Sequence, residues 1–274
     1  MPLSEFYRTL KVRSDDRYDK FAIEPTSSIR RIYEEAYLEK PTWLGGDEKF
    51  VCLFIDLDNS SVMSFKRYPK TMAQVYDYFT QNAVDIVTAD PHAADYVDIK
   101  GDGLFGIYEG DKAVFKALAA ALTFKTFFEK HVRGKFQTSS DAFSCKIAID
   151  KDKVLVKKIG KRGDHNEVWA GRVVNNAAKL ASLSREIQVL HGPPPNVGGL
   201  ILLSDVVYNE LTQKRDYAIT SCGHDVSGNT AGKIPLWTQW DCANNDSING
   251  DCAWYCSALW CDICGDRFMS EMLK

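Results

Sequence analysis

The stretch YVDIKGDGLFGIY, from Tyr96 to Tyr108, decides how the rest of the chain is organised. Two apolar-rich runs of strand-like composition flank a Gly101-Asp102-Gly103 step. A Gly-Asp-Gly step between two such runs is a common signal for a β-hairpin. The pattern therefore predicts a hairpin with Asp102 at its tip, where this side chain is either a turn residue or a carboxylate that binds a ligand.

Helical and strand-like patterns alternate on both sides of this hairpin. In chain order they are a buried strand in KFVCLFIDLDNSS (49–61), a long helical pattern (65–87) interrupted by Pro69, the hairpin (96–108), an Ala-rich helix (111–132), strands at 143–150 and 153–160, a third helical pattern (170–186), a Pro- and Gly-rich loop (191–199), and a strand followed by a short Ser204-capped helix (200–211). The order is β-α-β-β-α-β-β-α-β-α. It predicts an α+β fold with a ferredoxin-like βαββαβ core, in which an antiparallel sheet carries its helices on one face.

The chain has 274 residues, which suits one good-sized domain with an appendage or two small domains. Residues 1–47 are polar and partly helical in pattern, and from about residue 216 the composition shifts to Cys, Trp, Asn and Gly. We therefore expect an N-terminal helical extension (1–47), a core domain (48–215) and a small Cys/Trp-rich C-terminal module (216–274).

Charge and hydrophobicity narrow the classes of partner. The net charge is −3 at pH 7, so no electrostatic feature indicates binding to nucleic acid or to an anionic membrane. The apolar stretches are far shorter than a membrane span, and the N-terminal sequence MPLSEFYRTLKVRSDD lacks the apolar core of a signal peptide. We expect a cytoplasmic protein that binds neither nucleic acid nor membranes.

Two carboxylates are predicted to converge although they are far apart in sequence. Asp56 ends the first core strand and Asp102 lies at the tip of the hairpin, and in a ferredoxin-like sheet these strands are central neighbours. Paired carboxylates bind Mg²⁺ or Mn²⁺ and leave positions open for phosphate oxygens, as two-metal phosphoryl chemistry requires. The backbone N–H groups of Ser60 and Ser61, at the start of the next helix, are candidates for binding that phosphate.

Three segments together resemble the class III nucleotidyl cyclases: FIDLDNSS (54–61), KGDGLFGIY (100–108) and WAGRVVNNAAKLASL (169–183). Proteins of that family show, in this order and spacing, a strand-end Asp, a Gly-Asp hairpin and a Gly-x-x-Val-Asn-x-Ala-Ser/Ala-Arg helix start. The residues that match the last pattern are Gly171, Val174, Asn175, Ala177 and Ala178. The resemblance covers about residues 48–212.

The resemblance implies a homodimer whose two active sites are shared across the interface. Asp56 and Asp102 of one subunit would hold two divalent metals, Mg²⁺ or Mn²⁺, with the Leu57 carbonyl as a further ligand. The other subunit would supply Asn175, which orients the ribose, and a cation four positions further on. The implied reaction is attack of the ribose 3′-oxygen on the α-phosphate of a nucleoside triphosphate, with release of pyrophosphate.

The chain departs from the family at its cations. Lys179 stands where the family has Arg, and a Lys can neutralise a phosphate but cannot make a bidentate contact with it. Arg172, two turns of helix back, is the alternative cation. For the Lys that binds the triphosphate near the end of the domain, the best candidate is Lys233 in TAGKIPLW, whose alternative interpretation is a solvated loop residue.

The two positions that read the base in purine cyclases hold Asp98 and Val168, with Glu167 beside the latter. No Lys–Asp pair for adenine is present, and a carboxylate at position 98 accepts from guanine N1–H and N2–H₂, uracil N3–H or cytosine N4–H₂. NEVWAGRVVNNAAKLAS and the Cys-rich tail are similar to the bacterial pyrimidine cyclases of the Pycsar antiphage systems. Trp169 either narrows the pocket toward a smaller base or packs in the core. We expect UTP as the substrate and cyclic UMP as the product, with CTP and GTP as alternatives.

The Pycsar resemblance also implies an antiphage role and a separate effector protein that receives the cyclic nucleotide. Two other classes of function fit parts of the sequence. Lys179 and the weak triphosphate candidate favour a domain that senses nucleoside triphosphates without turnover. The Cys/Trp tail favours a structural interaction module, but buried paired acids are costly without a cation and argue against it.

The C-terminal segment CAWYCSALWCDIC is a candidate metal site. Four thiolates this close in sequence predict a structural, tetrahedral Zn²⁺ site. The alternative is a Cys- and Trp-rich tail that packs in the dimer. The proposed ligands are Cys252, Cys256, Cys261 and Cys264, with Cys242 and His224 as replacements.

Overall fold

A computed structural model of the chain describes residues 2–34, 37–38, 41–137, 143–161, 164–191, 199–213, 218–221, 232–243, 245, 248, 250 and 252–273. The chain divides into two compact units, which are described separately. The first consists of Met1–Glu48 and Leu155–Ala170, and the second of Lys49–Val154 and Gly171–Lys274. Most of the predicted core domain belongs to the second unit, while its residues 155–170 belong to the first.

The helices and strands follow the predicted order closely. In chain order they are α1 (Leu3–Asp19), β1 (Ile23–Pro25), a 3₁₀ helix (Ile29–Tyr33), β2 (Trp43–Leu57), α2 (Ser60–Lys66), α3 (Pro69–Val87), β3 (Tyr96–Lys100), β4 (Gly103–Tyr108), α4 (Ala113–Phe127), a π-helical turn (Phe128–Val132), α5 (Arg133–Phe136), β5 (Cys145–Lys161), β6 (Asp164–Gly171), α6 (Val173–His191), β7 (Gly199–Ser204), α7 (Asp205–Thr212), β8 (Thr238–Asp241), β9 (Cys252–Cys256) and α8 (Asp262–Met272). Pro69 is the first residue of α3, where its missing N–H costs nothing, so it separates two helices rather than interrupting one.

The ferredoxin-like core is confirmed. Its strands lie side by side in the order β3-β4-β2-β5, with α2 and α3 connecting β2 to β3 and α4 preceding β5. β4 pairs antiparallel with both β3 and β2. The hairpin predicted around Asp102 is the β3–β4 hairpin, and it lies next to β2 as the βαββαβ order requires.

The two faces of the sheet carry different helices. Alternate residues of β2, such as Val51, Leu53 and Ile55, pack in one core cluster with α3 and α4. Residues of the opposite face form a second cluster with Leu180 and Ile187 of α6. The expectation that the helices lie on one face therefore holds for α3 and α4 but is wrong for α6, whose apolar stripe packs on the other side.

The sheet continues beyond the predicted core. The runs predicted as two strands form one strand, β5, because no Gly or Pro separates them, and β6 after it was not predicted. β7 pairs parallel with β5, so the sheet is mixed rather than antiparallel throughout. β9 pairs with β7 and β8 pairs with β9, so residues of the predicted C-terminal module join the same sheet. The domain boundaries at residues 47 and 215 stay predictions.

The first unit has a small core of its own. Ile29, Ile32 and Leu44 are buried, and β1 pairs parallel with the start of β2. The Tyr37 hydroxyl donates to the Thr42 carbonyl at 3.1 Å. Helix α1 has no buried residue. None of the helices in the described residues combines the length and the apolar composition needed to cross a membrane.

Candidate active site

Asp56 and Asp102 lie close together at one end of the sheet. Asp56 is directly opposite Gly103 in the pairing of β2 with β4, and Asp102 precedes Gly103 in the hairpin turn. Gly101 adopts a φ of +64° in that turn, a conformation that glycine tolerates. A β-carbon on Gly103 would lie 2.8 Å from Asp56 Oδ1, so glycine leaves room for the carboxylate. The structure thus brings together the two acids that the sequence singles out.

The two carboxylates are an electrostatically costly pair. Burial is the largest cause that raises the pKa of Asp56 above its ordinary value, and the charge of Asp102 raises it further. Asp102 Oδ2 is buried and has no hydrogen-bond partner in the described residues. Buried polar atoms are normally satisfied, and carboxylate oxygens are the ligands that Mg²⁺ and Mn²⁺ prefer. The pair therefore fits a divalent-metal site, to which Leu57, whose side chain is in the core, can add only its carbonyl.

A cation that the sequence analysis did not single out lies beside Asp56. Lys146 Nζ, on β5, is 3.5 Å from Asp56 Oδ2 and 3.3 Å from Asp58 Oδ1. Its charge lowers the pKa of Asp56 and so opposes the effect of burial and of Asp102. A Lys inside a strand of buried residues is the signal that could have revealed it, because charged residues are seldom placed there without a partner.

Asp58 fixes the loop between β2 and α2. Its side chain is buried and accepts hydrogen bonds from Ser144 Oγ at 3.1 Å and from Arg185 Nη2 at 2.9 Å. Its backbone N–H donates to the Ser144 carbonyl at 2.9 Å. The next residue, Asn59, has a left-handed φ of 59° and also accepts from Arg185. The chain that follows Asp56 is therefore held on two sides.

Ser60 and Ser61 are the first two residues of α2. This helix has seven residues, so its dipole is weaker than that of a long helix. Ser60 is half-buried, Ser61 is exposed, and both follow the loop that Asp58 fixes. Phosphate binding by their backbone N–H groups stays a prediction.

Asn175, Lys179 and Arg172 lie at the start of α6, and all three are exposed. Asn175 Nδ2 donates to the Gly171 carbonyl at 3.2 Å, which fixes the amide at the helix start. Lys179 follows one turn later, on the same side of the helix. Residues that project into solvent in this way are available to a second subunit, which is the arrangement that a shared site requires.

Asp98 lies on β3, four positions before Asp102, and its side chain is 12% exposed. Lys100 Nζ is 2.8 Å from Asp98 Oδ2. The predicted base-reading carboxylate therefore has an ammonium beside it. Together they offer one hydrogen-bond acceptor and one donor at the edge of the same strand.

Glu167, Val168 and Trp169 belong to β6 in the first unit. Glu167 Oε1 lies 3.4 Å from Lys158 Nζ, Val168 is exposed, and Trp169 is half-buried. Their predicted part in a base pocket is not tested by these contacts. The sequence did not reveal that Glu167 forms an ion pair with Lys158.

Lys233 lines a cavity of about 900 Å³ that α4 and C-terminal residues enclose. Leu118, Trp237, Trp260 and Phe268 form part of its apolar wall. Asp56 and Asp102 are not among the residues that line it. The triphosphate contact assigned to Lys233 stays a prediction, and the cation found beside the carboxylate pair is Lys146.

The described residues give no support to the predicted zinc site at the C-terminal cysteines, which stays a prediction. Cys252 and Cys256 lie on β9, where Cys252 Sγ is 3.3 Å from Asp205 Oδ1. Burial raises the pKa of Cys256 to about 12, whereas Zn²⁺ binds thiolates. Cys261 and Cys264 lie at the start of α8. In the described part of the chain, no three Cys, His, Asp or Glu side chains are grouped to bind a metal.

Only one of the two proposed replacement ligands lies in the described residues. Cys242 is buried and its Sγ lies 3.8 Å from the Trp240 carbonyl, while His224 lies outside the described residues. The burial of Cys256 follows from the pairing of β9 with β7, which places this residue in the core.

The fold is shared with solved nucleotide cyclases. The guanylyl cyclase Cya2 superposes with a TM-score of 0.57 at 15% identity, over 79% of this chain and 95% of that chain. The adenylyl cyclase CyaB from P. aeruginosa superposes with a TM-score of 0.53 at 14% identity, over 81% of this chain and 98% of that chain. No protein-family model matches the sequence. The architecture is therefore that of the class III nucleotidyl cyclases.

Sequence comparison is more specific. A uridylate cyclase of Micromonospora echinofusca is 35% identical over 231 residues, which are 82% of this chain and 69% of the relative. A uridylate cyclase of Propioniciclava tarda is 28% identical over 238 residues, which are 85% of this chain and 70% of the relative. The chain belongs to the uridylate cyclase family.

Proposed function

We propose that the protein converts UTP to 3′,5′-cyclic UMP and pyrophosphate. The observation that carries the proposal is the close pair of Asp56 and Asp102, with the buried, unpartnered Oδ2 of Asp102. Such a pair suits a divalent cation, which phosphoryl transfer from a nucleoside triphosphate requires. Relatives named uridylate cyclase, matched over most of the chain, support a pyrimidine substrate.

Asp56, Asp102 and the Leu57 carbonyl would hold two Mg²⁺ or Mn²⁺ ions. When bound, these ions would lower the pKa of the ribose 3′-hydroxyl and offset the charge of the triphosphate. Lys146 adds a fixed positive charge next to Asp56. A cation placed before the reaction stabilises charge that develops on phosphate oxygens without reorganising during the step.

A second copy of the chain would complete the site. The ribose needs a hydrogen-bonding group to orient it, and the α-phosphate needs a cation in the transition state. Asn175, Lys179 and Arg172 supply these groups and are exposed at the start of α6. We therefore favour a homodimer with two shared sites, in which Lys179 contacts phosphate as a point charge and Arg172 adds a forked donor.

Asp98 and Lys100 would read the base. Uracil presents N3–H next to a carbonyl oxygen, so the Asp98 carboxylate accepts from N3–H while the Lys100 ammonium donates to the oxygen. Cytosine and guanine present a donor and an acceptor as well, and the choice of uracil rests on the named relatives. A site that reads polar edges discriminates strongly, because a wrong base leaves buried groups unpaired.

The test measures pyrophosphate release and cyclic product from each of the four nucleoside triphosphates with Mn²⁺. Wild type is compared with Asp102→Asn and with Asp77→Asn, a control at an exposed Asp on α3. We expect cyclic UMP from wild type and from the control. Asp102→Asn should lose more than the ~10–100-fold that is typical of mutating residues that only orient metal ligands.

Two other outcomes would contradict the proposal. Cyclic GMP or cyclic CMP alone from wild type would show that the base is assigned wrongly. Binding of UTP without pyrophosphate release would instead support a sensing domain, which the Lys at position 179 also allows.

We also propose a biological setting for this activity. The similarity of NEVWAGRVVNNAAKLAS to Pycsar cyclases supports a cytoplasmic, second-messenger role in antiphage defence, with a separate receptor for cyclic UMP. Infection of cells that carry wild type or Asp102→Asn tests this. Cyclic UMP should rise only with wild type, and equal survival of both strains would contradict the defensive role.

A further inference from the structure

Asp58 is the centre of a polar network that joins three elements of the second unit. Lys146 contacts its carboxylate from β5, Ser144 from the residue just before β5, and Arg185 from α6. Asp58 is 5% exposed, whereas 55% of the Arg185 side chain is exposed. The loop after β2 is therefore fastened to both neighbours by side chains that are not themselves among the proposed metal ligands.

Arg185 also stabilises the backbone conformation of this loop. Its Nη2 donates to the side-chain oxygens of both Asp58 and Asn59. Asn59 has a left-handed φ of 59°, which is unfavourable for residues other than glycine, although less so for Asn. The guanidinium contact holds the turn through which the chain passes from Asp56 into α2.

Arg185 and Lys146 contact the same oxygen of Asp58, Oδ1. Lys146 lies between Asp56 and Asp58, at 3.5 and 3.3 Å. Because Arg185 and Ser144 already satisfy Asp58, the ammonium can act on Asp56. Without the guanidinium, the buried Asp58 would keep only Ser144 and Lys146 as side-chain partners from other elements, and the loop that follows Asp56 and Leu57 would lose its contact with α6.

Helix α6 does not depend on Arg185 for its own position. Asn176 Nδ2 donates to Asp150 Oδ2 at 3.0 Å at the start of the helix, and both residues are buried. Leu180 and Ile187 pack in the core cluster on that face of the sheet. Removing the Arg185 guanidinium should therefore loosen the loop after β2 and leave the start of α6 in place.

We propose that Arg185, acting through Asp58, is a positioning residue for the metal-binding end of the site in its own subunit. This end consists of Asp56 and the Leu57 carbonyl. The inference rests on the proposed function, in which the same helix offers Asn175 to the site of the other subunit. Arg185 serves the first of these two sites and not the second.

Mn²⁺ binding in the absence of nucleotide tests this without catalysis. Electron paramagnetic resonance titrations compare wild type, Arg185→Met, Arg185→Lys and the control Lys151→Met. Lys151 pairs with Glu210 in the same unit, and each of these side chains is 20% exposed, so the control also removes one ion pair. We expect Arg185→Met to weaken Mn²⁺ binding by about tenfold, as for other groups that orient metal ligands. Arg185→Lys should recover part of the loss, and the control should bind like wild type.

Mixed dimers show which of the two sites depends on a given Arg185. A dimer of one wild-type chain and one Asp102→Asn chain has one working site, built from wild-type carboxylates and Asn175 of the other chain. Arg185→Met in the chain that keeps Asp102 should lower turnover by about tenfold. The same change in the Asp102→Asn chain should have no measurable effect.

Several results would overturn the inference. One is Mn²⁺ binding by Arg185→Met that equals wild type at an unchanged melting temperature. Another is an equal or larger loss of turnover when Arg185→Met is in the Asp102→Asn chain. If wild type binds Mn²⁺ and Arg185→Met binds it more weakly, but neither releases pyrophosphate, the positioning role holds and the proposed function fails.

Discussion

Gly103 lies directly against Asp56, so a side chain at position 103 would disturb the position of this carboxylate. In Gly103→Ala the new β-carbon would lie 2.7 Å from the Ile55 carbonyl oxygen and 2.8 Å from Asp56 Oδ1. Ordinary van der Waals contact begins at 3.4 Å, so the Ile55 carbonyl oxygen would have to move away by about 0.7 Å. Because it belongs to the backbone of β2, it cannot rotate away as a flexible side chain does.

Because Ile55 precedes Asp56 on β2, a displacement of this size would also shift Asp56 relative to Asp102. A misplacement of ~1 Å in an active site can cost ~10²-fold in rate. Adding a methyl group to a packed region typically costs ~1–3 kcal/mol of the free energy of unfolding. We therefore expect Gly103→Ala to lower kcat/KM by roughly 10- to 100-fold. The melting temperature should fall by roughly 2–10 °C.

The assay is Mn²⁺-dependent pyrophosphate release, measured well below the melting temperature of each variant. Gly106→Ala, on the same strand, is the matched control. Its β-carbon would lie 3.0 Å from Val87 Cγ1 and 3.2 Å from the Ala94 β-carbon, away from the acids. It should lose stability and keep turnover. Wild-type turnover in Gly103→Ala, or losses of activity in both variants that follow their losses of stability, would refute the reasoning.

Three further predictions concern Asp102, Asp98 and the two buried thiols. Burial and, after it, the charge of Asp102 raise the pKa of Asp56, so the folded, metal-free chain binds a proton more tightly than the unfolded chain and loses stability as pH rises through the raised pKa. Asp102→Asn should therefore raise the melting temperature at pH 7 in chelator, and melting curves that coincide with wild type from pH 4 to 8 would contradict this. Asp98→Asn should raise the ratio of CTP to UTP turnover in a competition assay, because an amide can donate to cytosine N3, and an unchanged ratio would remove Asp98 from base reading. Burial raises the pKa of Cys145 to about 12 and that of Cys256 to about 12, so both thiols should resist a thiol reagent at pH 8 until urea unfolds the chain, and rapid labelling of the folded protein would contradict their burial.

Local patterns were sufficient for the hairpin and for the order of the core elements other than β5 and β6. The Gly101-Asp102-Gly103 step, with apolar runs on both sides, indicates a turn whatever surrounds it, because turn chemistry depends on neighbours in sequence. Local patterns do not decide which face of the sheet a helix covers. The apolar stripe of α6, with Leu180 and Ile187, shows that the helix is half-buried but not on which side of the sheet. The same limit applies to Cys256, since spacing in sequence does not reveal that β9 pairs with β7.

Some residues of the candidate site could also be predicted from the sequence, and others could not. Asp56 and Asp102 could be paired from sequence because both occupy strand ends whose adjacency follows from the βαββαβ order. Lys146 and Arg185 could not be found in this way. Arg185 is 127 positions from Asp58, and a contact over such a distance depends on how β2, β5 and α6 pack together. The sequence by itself determined most of the order of the core elements and the convergence of Asp56 with Asp102, and only the tertiary structure decided which cations stand beside them, because long-range ion pairs leave no periodic signal along the chain.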